Sequence, residues 1–430
     1  MADTVFALLA FEGPDEYSQA GGLGARESEL ARALARLGHE THLYFIGDPD
    51  LPALETRERG KLVLHRWGQW ISALHPGGVY DGEEGKYNDW NASVPAHLVS
   101  DLIAPAATAG RRVVVMGEDW QTSASMILVD RMLRMRQLRD RALLLWNANN
   151  VFGNSRINWP ALELATTVTT VSRYMKILLW REGVNAVVIP NGISKKALTP
   201  PRPDAVAALK EGGVGDLFLF KIGRFDPDKR WLMAISAAAR LKRQGVRVRM
   251  LIRGDRGPHG AEVLIQAARE GLRVADLRGA EDVGALASGM RANPEADVLN
   301  LITFLPESLI PTIYAAADAV LANSGHEPFG LVGLEAMAAG GVVITGSTGE
   351  DYAVAFRNAL VLETDDPAEL AAYLNLLLTD PRVAPRLRRG GRATARTYLW
   401  DSVIGQLFTH FALASARQGV DWNGDKGRPA

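Results

Sequence analysis

Along the chain, short apolar runs alternate with amphipathic stretches at helical spacing, and Gly-rich or polar turns separate them. Val5–Ala10 reads as a buried strand, followed by a polar, Gly-rich loop over residues 12–24. From Ala25 onward, Leu30, Leu34 and Leu37 recur at the i, i+4, i+7 spacing of one helix face. Gly38 supplies a helix stop, and Thr41–Ile46 forms the next strand. The alternation continues through Val113–Met116, Ala142–Trp146, Thr167–Val171 and Ala186–Ile189. Residues 195–216 break it with Pro200, Pro201 and Pro203, then Gly212, Gly213 and Gly215, the composition of a linker. The pattern then restarts with strand Leu217–Ile222 and a helix from Lys229 to Gln244. Strands Val246–Ile252, Val298–Phe304, Ala319–Ala322, Val342–Thr345 and Leu360–Leu362 follow.

Strands alternating with helices imply parallel sheets covered on both faces. Two such arrays predict an α/β protein of two Rossmann-like, doubly wound domains facing each other across a cleft. The boundaries read as 1–195 for the first domain, 196–216 for the linker and 217–398 for the second domain. A helix at 399–417 is expected to cross back to the first domain, with a disordered tail over 418–430. Residues 271–297 show no readable period and are taken as an insertion. Ligands of doubly wound sheets sit outside the carboxyl ends of the strands, so the cleft is the expected site.

Composition narrows the class. The chain has 430 residues, 47% hydrophobic and 23% charged, which is ordinary globular material. A net charge of -1 argues against a nucleic-acid partner or a lipid surface held by bulk charge. No cysteine is present, which excludes disulfides, thiolate nucleophiles and zinc–thiolate sites. The first residues carry no basic region before their apolar run, and no run reaches the ~18 apolar residues of a membrane helix. A cytoplasmic protein with no integral membrane segment is expected.

Three segments carry candidate chemistry. Ser18-Gln19-Ala20-Gly21-Gly22-Leu23-Gly24 joins the first strand to the first helix, where bare backbone and a helix N-terminus suit a phosphate or a sugar hydroxyl. A tight structural turn explains the same residues equally well. In Lys221-Ile222-Gly223-Arg224-Phe225-Asp226-Pro227-Asp228-Lys229-Arg230, two cations flank a helix start that by itself prefers anions. A bound diphosphate would offset that repulsion, although a solvated basic turn is the plainer alternative. The third, His326-Glu327-Pro328-Phe329-Gly330-Leu331-Val332-Gly333-Leu334-Glu335, places Pro328 in a first helical turn and Glu335 inside a nearly all-apolar helix. A carboxylate there must find partners.

The Glu-x7-Glu spacing of Glu327 and Glu335, with Pro-Phe-Gly between, resembles the retaining glycosyltransferases of family 4 (group 1), which have the GT-B fold. Gly223-Arg224 with Lys229, the Gly21–Gly24 loop, and Val171-Ser172 followed by Ile189-Pro190-Asn191-Gly192 resemble further motifs of that family, in the same order. The resemblance implies that Arg224 and Lys229 hold the donor diphosphate and that Glu327 contacts the transferred sugar. It implies that Glu335 binds the ribose, with Phe329, Gly330 and Leu331 lining the donor through their amides. Gly22 and Gly24 would add donor contacts, and Thr303–Glu307 lies where the family places the nucleobase. Two departures stand out: Glu118, in Glu118-Asp119-Trp120, replaces a frequent histidine, and Asn149 falls in a second such place. Glu118, Asp119, Trp120 and Asn149 are therefore the acceptor and cleft candidates.

The implied reaction moves a hexose from a nucleoside-diphosphate sugar to a hydroxyl acceptor, a sugar, a small polyol or acid, or a glycan, with retention by a front-face route. It needs no cofactor and no metal site; Mg2+ is compatible but not required. A retaining glycoside hydrolase would need two carboxylates ~5–5.5 Å apart and would leave the cationic loop unexplained. A catalytically impaired sugar-binding protein of the same fold is the alternative.

Overall fold

A computed structural model describes residues 4–255 and 257–420, which divide into two units. The first comprises the described residues up to Gly192 and those from Trp400 onward; the second is Ile193–Leu399.

The first unit is built on eight strands: Thr4–Leu9 (β1), Glu40–Ile46 (β2), Leu54–Arg57 (β3), Leu62–Trp67 (β4), Arg112–Glu118 (β5), Ala142–Ala148 (β6), Thr167–Thr170 (β7) and Val187–Val188 (β8). Their order is β3-β4-β2-β1-β5-β6-β7-β8, parallel except for the antiparallel edge strand β3. β1, β5 and β6 carry the unbroken apolar runs Val5–Leu9, Val113–Met116 and Ala142–Trp146 because helices cover both faces of the sheet. The strand order reverses between β1 and β5, which opens a crevice beyond their carboxyl ends. The helix Gly22–Arg36 follows β1 and stops at Gly38, whose φ of 97° only glycine adopts without strain.

The chain returns to this unit in the helix Trp400–Gln418, whose Trp400, Val403, Ile404, Leu407 and Phe411 join Phe6, Leu8 and Leu30 in one core. Gly192 is the counterpart of Trp400, since a Cβ there would lie 2.4 Å from the indole. Gln418 closes the helix by donating to Leu144 O at 2.8 Å and accepting from Leu144 N at 3.0 Å, and Val420 is buried. The tail expected from 418 is therefore anchored as far as 420; 421–430 lie outside the described residues.

The second unit carries seven parallel strands: Leu217–Ile222 (β9), Val248–Arg253 (β10), Val274–Leu277 (β11), Val298–Leu301 (β12), Ala319–Ala322 (β13), Val343–Thr345 (β14) and Leu360–Val361 (β15). Their order is β11-β12-β10-β9-β13-β14-β15, so the reversal falls between β9 and β13. Trp231, fully buried, packs in the core with Leu219, Met250 and Leu321.

Two readings of the sequence change here. Residues 196–216 are not a linker: Pro203–Gly212 is a helix of the second unit, packed on the helices Val283–Arg291 and Ile310–Ala316. Pro203 opens that helix and Gly213 ends it, so these residues mark helix ends rather than a flexible connection. Residues 271–297 are not an insertion but a regular strand and helix, β11 and Val283–Arg291. β11 sits at the sheet edge and is only partly buried, so its sequence lacks an apolar run. Among the described residues, no helix is long and apolar enough to cross a membrane.

Candidate functional site

In the second unit, the loops leaving β9 and β13 meet at the point where the strand order reverses. Gly223 follows β9, and exposed Arg224 comes next, its carbonyl accepting from Trp231 Nε1 at 2.8 Å. Asp226 caps the short turn Pro227–Lys229 by accepting from Asp228 N at 2.9 Å. That turn aims Lys229 at the other loop, where Lys229 Nζ and Glu327 Oε2 pair at 2.5 Å. Gly325 N donates to Asp228 O at 2.7 Å, and Asn323 Nδ2 donates to Arg230 O at 3.2 Å, so the two loops are stitched together. Beneath them Lys221 is buried, donating to Asn323 Oδ1 at 2.6 Å, and burial drives its pKa well below the usual lysine value.

The Glu-x7-Glu segment splits into a loop and a helix. Pro328 lies before the helix rather than in its first turn, because Gly330 takes a left-handed φ of 80° as N-cap and the helix runs Leu331–Ala339. Gly333, Leu334 and Ala336–Ala339 face inward, leaving Leu331, Val332 and Glu335 as the less buried stripe. Glu335 accepts from the Tyr314 hydroxyl at 3.5 Å, the partner its apolar surroundings demanded. Glu327 N donates to Thr348 Oγ1 at 2.9 Å, and the Tyr352 hydroxyl donates to Gly330 O. Phe329 is buried against the rings of Tyr352 and Tyr398, which fixes the backbone where the helix begins. The cluster thus brings Lys229 and Glu327 together just before a helix N-terminus, with Arg224 exposed in the same loop as Lys229. In the loop after β12, Phe304 is 76% exposed.

Glu350 escaped the sequence reading. It lies in the loop after β14, is 5% exposed, and its carboxyl is pushed up to about 8, first by burial and then by the charge of Glu327. The signal available was an acidic residue directly after a Gly-Ser-Thr-Gly turn at a strand end.

In the first unit, the crevice between β1 and β5 holds a buried polar network. Arg26 pairs with Glu118 Oε2 at 2.8 Å and with Glu27, and donates to Asn191 Oδ1 at 2.5 Å. Glu118 Oε2 also accepts from Asn147 Nδ2 at 2.9 Å and Asn149 Nδ2 at 2.7 Å. Asp119, at a left-handed φ of 55°, accepts from Asn149 N at 2.8 Å and Asn150 Nδ2 at 2.9 Å. Burial raises Asp119 to about 7 and drives Glu27 well above the carboxylate range. It works against the Arg26 guanidinium too, but Glu118 and Glu27 outweigh it and hold Arg26 charged. Glu118, Asp119 and Asn149 are thus brought together. Trp120 is not open for stacking: it is 3% exposed, with the Arg156 guanidinium 4.1 Å from its ring.

The glycine loop differs from expectation. Glu12 Oε2 accepts from the amides of Ala20, Gly21 and Gly24 at 3.3, 3.2 and 3.0 Å, and Tyr80 donates to its other oxygen at 2.8 Å. An internal carboxylate therefore occupies the anion position at this helix start, with Gly22 as first helical residue. Glu12 and Arg26 were missed because partners such as Tyr80, Glu118 and Asn191 reach them only in the folded chain, and Glu27 because its neighbour Arg26 is drawn into that buried network.

Residues 210–394 match the model of the family "Glycosyl transferases group 1". The chain is 27% identical over 424 residues to a D-inositol 3-phosphate glycosyltransferase of Thermobispora bispora, covering 93% of this chain and 91% of that protein. The catalytic domain of starch synthase IV from Arabidopsis thaliana, bound to ADP and acarbose, superposes with a TM-score of 0.69 at 17% identity, over 96% of this chain and 99% of that one. Anabaena HepE in complex with UDP-glucose gives 0.64 at 17% identity, over 95% and 99%. The motifs in their order, the two doubly wound sheets and these likenesses agree: the chain has the GT-B fold and is similar to the group 1 glycosyltransferases, whose family model matches residues 210–394.

Proposed function

We propose that the protein is a cytoplasmic, retaining hexosyltransferase that takes a hexose from a nucleoside-diphosphate sugar and passes it to a hydroxyl acceptor. The observation that carries this reading is the Lys229–Glu327 pair just before the N-terminus of the helix Leu331–Ala339, at the strand-order reversal of the second unit, with exposed Arg224 in the same loop as Lys229.

Glycosyl transfer passes through an oxocarbenium-like transition state. Negative charge grows on the departing diphosphate, and Lys229, Arg224 and the helix amides are the groups able to stabilise it. Among the described residues the Arg224 side chain makes no ion pair, so its fork is available to two phosphate oxygens. Lys229 would exchange part of its bond to Glu327 for the diphosphate, and Glu327 would then take a hydroxyl of the sugar. Glu335, one helical turn on and level with Leu331, is the ribose ligand in this scheme, with Phe304 beside the base. A front-face route, in which the leaving phosphate oxygen accepts the acceptor's proton, needs neither an enzymic nucleophile nor a metal. The acceptor would lie at the first unit's crevice, near Asn149 and the Glu118–Asp119 pair.

The test is a thermal-shift panel of UDP, GDP, ADP and their hexose conjugates, followed by an acceptor screen that includes D-inositol 3-phosphate and uncharged polyols. A ligand at 100 times its dissociation constant stabilises by ~2.7 kcal/mol. A shift confined to one nucleotide series, abolished in Arg224→Ala, is the expected result. Donor binding without transfer or hydrolysis would instead support a binding protein, and no shift with any nucleotide would end the donor-site reading.

A further inference from the structure

The transfer scheme has no use for Glu350, yet this residue is built into the donor loops. Its side chain is buried, and neither carboxyl oxygen has a hydrogen-bond partner among the described residues. The amides of Glu350 itself and of Thr348 lie near enough to favour its charge, though without hydrogen-bond geometry. A carboxylate left unpaired in that position is costly, and taking up a proton relieves the cost.

Its place is specific. A Cβ added at Gly330 would lie 2.8 Å from Glu350 Cγ, 3.1 Å from the Tyr352 hydroxyl and 3.2 Å from Glu327 Cγ. Glu350 and Glu327 therefore flank the same glycine, the residue whose left-handed conformation starts the helix. Gly349 holds the two loops together, because a Cβ there would come within 2.0 Å of Glu327 O and 2.3 Å of Pro328 O. The charged and titratable groups around Glu350 are Glu327 from the loop before the helix, Lys229 from the turn after β9, and Tyr352 from its own loop. Glu335 and Tyr398 lie beyond Tyr352.

We propose that Glu350 is a positioning residue for the donor site: as an uncharged carboxyl behind Gly330, it leaves Glu327 as the single anion there and keeps the Lys229–Glu327 pair and the helix start set for the donor. This rests on the donor-site reading above. Ionised, Glu350 would place a second negative charge beside Glu327, draw Lys229 away from it and repel the incoming diphosphate. Burial and Glu327 together put that ionisation at about pH 8. Donor affinity is therefore full below this value and falls as pH rises through it.

The experiment measures nucleotide-sugar dissociation constants by calorimetry between pH 6 and 9 for the full chain and for Glu350→Gln. If only the protonated form binds well, the wild-type constant should rise about tenfold for each pH unit above the ionisation. Glu350→Gln, fixed in the neutral form, should hold its pH 7 affinity within about twofold up to pH 9. A Gln variant that keeps the wild-type alkaline loss overturns the proposal. Should that variant fail to fold, the wild-type infrared spectrum decides: a buried carboxylic acid band should disappear with the same midpoint as donor affinity, and separate midpoints sink the idea. Nucleotide-sugar binding with no such loss removes the proposal alone. No binding at any pH removes the donor-site reading with it.

Discussion

Lys229 and Glu327 neutralise one another at 2.5 Å, and both are partly open to solvent. Exposed pairs of this kind add little to stability. In the proposed scheme their value is to hold a cation and a hydrogen-bond acceptor at a helix start until the donor takes over the cation. Lys229→Ala should therefore leave the melting temperature nearly unchanged and cut turnover by about 100-fold, the usual effect of losing one donor to developing charge; steady-state kinetics and calorimetry read the two together. Buried groups behave differently. Asp119 and Glu350 have folded-state pKa values of about 7 and about 8. These lie above the values of an unfolded chain, so the folded state keeps protons that the unfolded state has released. Stability from these groups is complete in acid and is lost as pH rises through 7 and 8. His65 has the opposite sign: burial lowers it to about 3, so its contribution is complete above about pH 6.5 and is lost below that. Urea melts should show stability falling between about pH 6.5 and 8, with a flatter slope in the Asp119→Asn, Glu350→Gln double variant.

At the scale of elements, the glycines of the donor loops and the carboxylate of Glu12 make separable predictions. Gly349→Ala would drive a methyl into the carbonyls of Glu327 and Pro328, a backbone clash that no rotamer relieves. The protein should fold, lose stability and bind the donor poorly, and circular dichroism with calorimetry would separate those effects. Glu12→Ala removes the acceptor shared by three amides before the helix Gly22–Arg36 and should cost about 1–2 kcal/mol, as a lost N-cap does. How much of these elements the sequence revealed follows from what fixes each one. β9 and β13 are readable to the residue because they are short and almost wholly apolar, with Lys221 the one polar residue in them, at the middle of a covered sheet. β4 was missed because His65 and Arg66 interrupt its apolar residues. Arg66 is nonetheless buried, paired with Asp15 at 2.8 Å across 51 positions of sequence. The donor candidates are legible because their residue types and spacing lie within two contiguous segments. Glu350 and Arg26 are not, because their meaning comes from neighbours far along the chain.

For the whole molecule, the return of the helix Trp400–Gln418 to the first unit makes one domain depend on both ends of the chain. Phe411→Ala should destabilise the first unit by about 3–5 kcal/mol, the usual cost of emptying a large core position. Nucleotide binding, which belongs to the second unit in our reading, should survive. Urea melts followed with and without nucleotide would show whether only one transition moves. The sequence by itself determined the alternation of strands and helices, the two doubly wound arrays and the two contiguous segments, Lys221–Arg230 and His326–Glu335, on which the proposed donor site rests. Each of these is a local pattern of apolar period, glycine or charge, readable over some ten residues. Tertiary structure alone decided that 196–216 belongs to the second unit, that Glu12 fills the helix start beside the glycine loop, and that Glu118 is tied to Arg26. It also decided that Glu350 stands behind Gly330. Pairing and burial energies depend on which groups the fold brings within a few ångströms, and separation along the chain carries no record of that.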